Sequence, residues 1–124
     1  MSHALALLVL MFSLTSCGPP IVWGGDNQTR ERLLGIVPLG STVGDLEAEA
    51  EARGWSIFFA DDRIFEKGKA HYFGNGCRYQ GGVSREFIVA EYGPVFTTSV
   101  EGLWMFDEAG KLSELCIRRT TDAV

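Results

Sequence analysis

The thiols of Cys17, Cys77 and Cys116 and the imidazole of His71 are the groups in this chain whose types and spacing suit nucleophilic or redox chemistry. His71 and Cys77 are close enough in sequence to form a thiol–imidazole pair, which needs a free thiol that the base can deprotonate. A disulfide from Cys77 to Cys116 removes that thiol. Two cysteines without histidines beside them do not make a zinc site, so no metal is expected. Asp61 and Asp62 are adjacent, as a metal site or carboxylate dyad would require, but Asp also starts turns through its own side-chain hydrogen bonds. The turn is the simpler reading. The segment Gly74-Asn-Gly-Cys-Arg-Tyr-Gln-Gly-Gly82 is dense in glycine. It lacks the closing Gly-Lys-Ser/Thr and the following helix of a phosphate loop. It reads as a surface loop, with Arg78, Tyr79 and Gln80 as candidate partner-binding residues. No catalytic residue is predicted and the chain is not expected to be an enzyme.

The N-terminus carries an apolar run, Ala4 to Leu14, that leads into Leu14-Thr-Ser-Cys17-Gly18. At roughly 1.5 Å per residue this run is far shorter than a hydrocarbon core of about 30 Å, so a permanent span is disfavoured. The pattern resembles a bacterial lipoprotein signal peptide with its lipobox. The resemblance implies that residues 1–16 are a signal peptide and that Cys17 is lipidated. An ordinary secretory signal cleaved nearby and a buried N-terminal strand or helix are the alternatives. Gly18, where Asp would favour retention, implies the periplasmic face of the outer membrane, with the inner membrane as the other possibility. The only cofactor implied is this covalent lipid, and several acyl chains would hold the domain without a protein span. Residues 17–28 then read as a lipidated tether, since their Pro and Gly oppose regular structure. Trp23 within it either packs on the domain or rests among headgroups.

With Cys17 taken by lipid, Cys77 and Cys116 remain as an even pair in an oxidising compartment, which reads as one disulfide. Its loop of about forty residues would be worth roughly 4 kcal/mol in the chain-entropy model. A buried free thiol at Cys116 and an exposed one at Cys77 are the alternatives. All the Lys, Arg, Asp and Glu lie beyond residue 16, so the net charge of −5 belongs to residues 17–124. An acidic chain without a basic cluster does not suit nucleic acid. The one local basic pair, Arg118-Arg119, reads as a solvated chain end.

Residues 29–124 are expected to form a single domain. Thr29 to Ile36 fits either one or two helical turns or an extended segment, and Pro38 ends any helix there. Thr42-Val-Gly-Asp45 is a capping-box start, Leu46 to Arg53 is rich in helix formers, and Gly54 supplies the stop. Val43, Leu46 and Ala50 share one face, and Glu49 pairs with Arg53 at the favourable spacing. Strands are expected at Trp55–Ala60, His71–Phe73, Arg85–Tyr92, Thr97–Phe106 and Lys111–Thr120. The last two are joined by a hairpin turn at Asp107-Glu-Ala-Gly110. Leu103 to Phe106 is apolar on both faces, as a central strand would be. The fold class is therefore α+β, with one main helix packed on a four- to five-stranded antiparallel meander sheet, after the signal and a flexible tether.

The order of lipobox, tether, Gly40-Ser-Thr-Val-Gly-Asp-Leu46 and Trp104-Met-Phe-Asp-Glu-Ala-Gly-Lys-Leu112 resembles the small lipoproteins of the SmpA/OmlA type. Those are accessory subunits of outer-membrane barrel assembly, and their domain is similar to the β-lactamase-inhibitor-protein repeat. The resemblance implies a non-catalytic protein-binding or envelope-assembly module. It would be anchored to the membrane by lipid and partnered by another envelope protein, without nucleic acid or a small-molecule cofactor. The alternative is a periplasmic inhibitor or immunity-type lipoprotein that binds a hydrolase.

Overall fold

The computed structural model describes residues 18–62, 71–72, 77–79 and 82–123. Residues 1–16, expected to be a signal segment, and Cys17, Phe73 and Gln80 lie outside them. Two helices of equal length come first, α1 over Asp26–Ile36 and α2 over Val43–Arg53. The second forms where its local signals place it. Thr42 Oγ1 accepts from Asp45 N–H and an Asp45 carboxylate oxygen accepts from Thr42 N–H, while Gly54 closes the end at φ 70°. Those backbone and side-chain bonds from Thr42 hold the Asp45 carboxyl below its ordinary value. Leu46 and Ala50 are buried and Val43 packs on the same cluster.

The single main helix expected from sequence is thus one of two. In α1, Gln28 Oε1 accepts from Gly25 N–H, a back-bond that satisfies the helix entry without Asp26 or Asn27 acting as cap. Thr29 and Leu33 bury one side of it. The stretch expected to be a tether is docked as well. Asp26 to Gln28 belong to α1, Pro20–Val22 form a short 3-10 turn, and Val22 is in the core.

Six strands follow among the described residues: β1 Ser56–Asp61, β2 His71–Tyr72, β3 Arg78–Tyr79, β4 Ser84–Tyr92, β5 Phe96–Phe106 and β6 Leu112–Ala123. Four of them make an antiparallel sheet in the order β1-β4-β5-β6, while β2 and β3 pair separately. The fold is therefore α+β, and β5 is an inner strand, as its two apolar faces require. The β5–β6 turn is closed by Asp107, whose Oδ1 accepts from the N–H groups of Ala109 and Lys111, with Gly110 at φ 77°.

The helices cover one face of the sheet. Leu33, Val37, Leu46 and Ala50 meet Phe87, Val100, Trp104, Phe106, Leu115 and Ile117 there. Trp104 is fully buried, stacked on Trp55 at 5.5 Å and met edge-on by Phe87 at 5.8 Å. Each such aromatic pair contributes about 1 kcal/mol beyond the area it buries. A Cβ at Gly102 would stand 2.6 Å from the Trp104 ring, so the indole lies flat over a position where only glycine fits. The far face carries a smaller cluster of Leu103, Met105 and Cys116, against which Cys77 packs.

Candidate functional site

The expected disulfide is present. Cys77 and Cys116 are bonded, with their Cα atoms 6.0 Å apart and a sequence separation of 39. The bridge consumes the thiol that a Cys77–His71 pair would need. His71 instead sits opposite Tyr79 in the β2–β3 ribbon, with Tyr72 opposite Arg78. Of the candidate partner-binding residues, Arg78 and Tyr79 are therefore held in strand pairing, and Gln80 is among the residues not described.

Asp61 and Asp62 do not form a carboxylate dyad. Asp61 is the buried last residue of β1, and Asp62 points outward to Arg85 Nη2 at 2.6 Å. The same guanidinium donates to the Asp61 and Ser84 carbonyls and reaches Glu47 on α2. Arg85 thereby ties the end of β1 and the face of α2 to β4.

The pair Arg118-Arg119 is not a solvated end. Successive residues of a strand point to opposite faces, and each arginine finds acids on its own side. On the far face Arg118 Nη2 lies 2.5 Å from Glu101 Oε2 and 3.1 Å from Glu86 Oε1. Both carboxylates are buried. Burial, and then a hydrogen bond to Glu101, push the Glu86 carboxyl up to about 7, against the pull of the Arg118 guanidinium. The cluster stores one proton near neutral pH and links β4, β5 and β6. Sequence reasoning missed it, because it exists only through strand register: Glu101 is opposite Arg118 and two residues before Leu103, the partner of Glu86. The one local hint was Glu101, an acid within the run Val100 to Phe106 of β5 that is otherwise without charge, and it did not identify its partners.

On the helix face Arg119 gathers the N-terminal segment. It donates to Asp26 Oδ1 at 2.7 Å, the Val22 carbonyl at 2.7 Å, Thr29 Oγ1 at 3.0 Å and Tyr92 Oη at 3.2 Å. Arg32 donates to the carbonyls of Ile21 and Trp23.

The two edges of the sheet differ. At β6, Gly40 N–H donates to Leu112 O and Leu112 N–H to Ser41 O, at 2.8 and 2.7 Å. Farther along, Arg30 Nε donates to Leu115 O, and Leu115 N–H donates to Glu114 Oε1. The start of that edge, Leu112 to Leu115, is covered by the protein's own groups. At β1 the other side pairs with no described strand. Its residues Ser56 to Ala60 are all exposed and carry no charge. Ile57, Phe58 and Phe59 remain 60 %, 58 % and 46 % exposed. A bulge at Phe58 places Ile57 opposite Phe87 and Phe59 opposite Glu86, so apolar side chains stand on both sides of the edge. An open strand edge of this kind offers unpaired N–H and C=O groups to another extended chain.

Among the described residues, no three His, Cys, Asp or Glu side chains converge as metal ligands. No helix among them is long and apolar enough to cross a membrane. No protein family model, curated protein or solved structure matches this chain.

Proposed function

We propose that this chain is a lipid-anchored, non-catalytic protein-binding module of the cell envelope. Acyl chains on Cys17 hold it to the periplasmic face of the outer membrane, and it serves as an accessory in envelope assembly. The observation that carries the binding role is the contrast between the sheet edges. The β6 edge is covered at Leu112 and Leu115 by Gly40, Ser41, Arg30 and Glu114, whereas β1 presents Ile57, Phe58 and Phe59 without a Lys, a Pro or a covering segment among the described residues. Monomeric domains blunt such edges, so one edge left apolar and uncharged fits a partner that adds an extended segment to the sheet. Main-chain bonds would supply affinity, and the three side chains would supply the apolar anchors. The lipobox at Leu14–Cys17 and the outline likeness to SmpA/OmlA-type lipoproteins support the compartment and the assembly role.

The test is affinity capture of the full chain from cross-linked envelopes, wild type beside Phe58→Lys. Barrel-assembly components should be recovered with the wild type and reduced by roughly tenfold or more with the lysine variant. A soluble hydrolase as the main capture would favour the inhibitor reading instead. Equal capture by both proteins would remove β1 from the interface.

A further inference from the structure

We infer that the end of the sheet around Gly18 is a membrane-contacting surface, on which Trp23, Val95 and Phe96 enter the headgroup layer beside the lipid attachment point. This rests on the reading of Cys17 as the lipidated residue.

The segment that follows Cys17 is built into the domain. Gly18 is buried against Tyr92, and a Cβ there would stand 2.6 Å from the tyrosine ring; its φ of +80° also favours glycine. Trp23 Nε1 donates to Gly18 O at 2.8 Å, which folds residues 18–23 into a closed loop. Arg119 and Arg32 then hold the carbonyls of Ile21, Val22 and Trp23. An extended residue spans at most about 3.6 Å, so a lipid on Cys17 starts within one residue of the Tyr92 surface. The domain cannot swing free of the bilayer on a long linker, and this end must face it.

That end is rich in exposed apolar side chains, with Asp122 of β6, opposite Thr97, as the acid beside them. Tyr92 leads directly into the β4–β5 turn, where Val95 and Phe96 are 65 % and 56 % exposed, and Trp23 is 38 % exposed. The turn is tight: a Cβ on Gly93 would fall 2.0 Å from the Phe96 carbonyl, so Phe96 is folded back to the end of β4. No Asp, Glu, Lys or Arg occurs in residues 18–25 or 93–99, in a chain whose net charge is −5. Exposed apolar side chains with an indole at the rim are what a headgroup interface accepts. They add a second, weaker contact to the acyl chains and fix the tilt of the domain.

The test uses the full chain, purified from membranes and placed in phosphatidylethanolamine–phosphatidylcholine vesicles whose acyl chains are brominated near the headgroup. Bromine quenches only tryptophans at the bilayer. Trp104 is fully buried and Trp55 stacks on it, so Trp23 should supply the quenching, and Trp23→Phe should lose it. Phe96→Asp should keep the protein on the vesicles and reduce the quenching of Trp23. An acylated, vesicle-bound chain with unquenched Trp23 overturns the proposed surface and leaves the lipid anchor standing. An intact mass without acyl chains overturns the anchor, and this surface with it. Quenching unchanged in Phe96→Asp refutes the part assigned to the β4–β5 turn.

Discussion

Arg118 and Arg119 are neighbours in the chain, yet one binds Glu86 and Glu101 and the other binds Asp26 and the carbonyls of the N-terminal segment. The first of these sites sets a pH dependence. In the folded chain the Glu86 carboxyl is raised from 4.5 to about 7. Between those values the native state keeps a proton that the unfolded chain has released. The native state therefore binds more protons across this window, and stability from this group is present at low pH and lost as pH rises toward 7 and above. Glu86→Gln mimics the protonated form and leaves an oxygen for Arg118. Urea unfolding at pH 5 and pH 8 checks this. The wild type should lose more stability between the two than the glutamine variant, by on the order of 2 kcal/mol. Equal pH dependence in both proteins would show that the Glu86 carboxyl is not raised in the folded chain.

Helix α2 shows how far local chemistry reaches. Its Thr42–Asp45 box was readable from four residues, and Thr42→Ala should cost about 1 kcal/mol, since Asp45 N–H loses its acceptor. Thr42→Ser should restore most of that in a denaturant midpoint, and full stability of the alanine variant would mean the box contributes nothing. The β5–β6 hairpin and the inner position of β5 were readable for the same reason, because Asp107, Gly110 and the doubly apolar Leu103–Phe106 act within a few residues. Helix α1 was only half legible. Its entry uses Gly25 and Gln28 in place of a capping Asp or Asn, and its buried side is just Thr29 and Leu33. What fixes it are distant partners, with Arg30 reaching Glu114 and Asp26 held by Arg119. The expected tether differs in the same way: Pro and Gly between residues 18 and 25 keep regular structure to the short turn Pro20–Val22, but they do not prevent docking. The open edge at β1 and the Glu86–Glu101–Arg118 cluster could not be read at all from local pattern, since both depend on which strands end up beside which.

At the scale of the whole molecule, the Cys77–Cys116 bridge cross-links β6 to the segment that connects β1 to β4. Cys116 lies on the face away from the helices, buried with Leu103 and Met105, and Cys77 packs on the same cluster just before β3. A cross-link over 39 residues restricts the unfolded chain strongly, and its loss from a small domain is typically worth about 2–5 kcal/mol. Two effects are mixed in any single replacement, because Cys116→Ser also buries a hydroxyl among apolar side chains. Cys77→Ser combined with Cys116→Val separates them, since the valine keeps that cluster apolar while the link is gone. In urea unfolding without reductant this double variant should fall below the wild type by an amount in that range. Adding reductant should bring the wild type down to a similar midpoint and leave the variant unmoved. If reductant leaves the wild-type midpoint in place, the domain does not depend on the bridge. If it lowers the midpoint as expected, the domain keeps its full stability only where disulfides persist, as the proposed periplasmic setting requires.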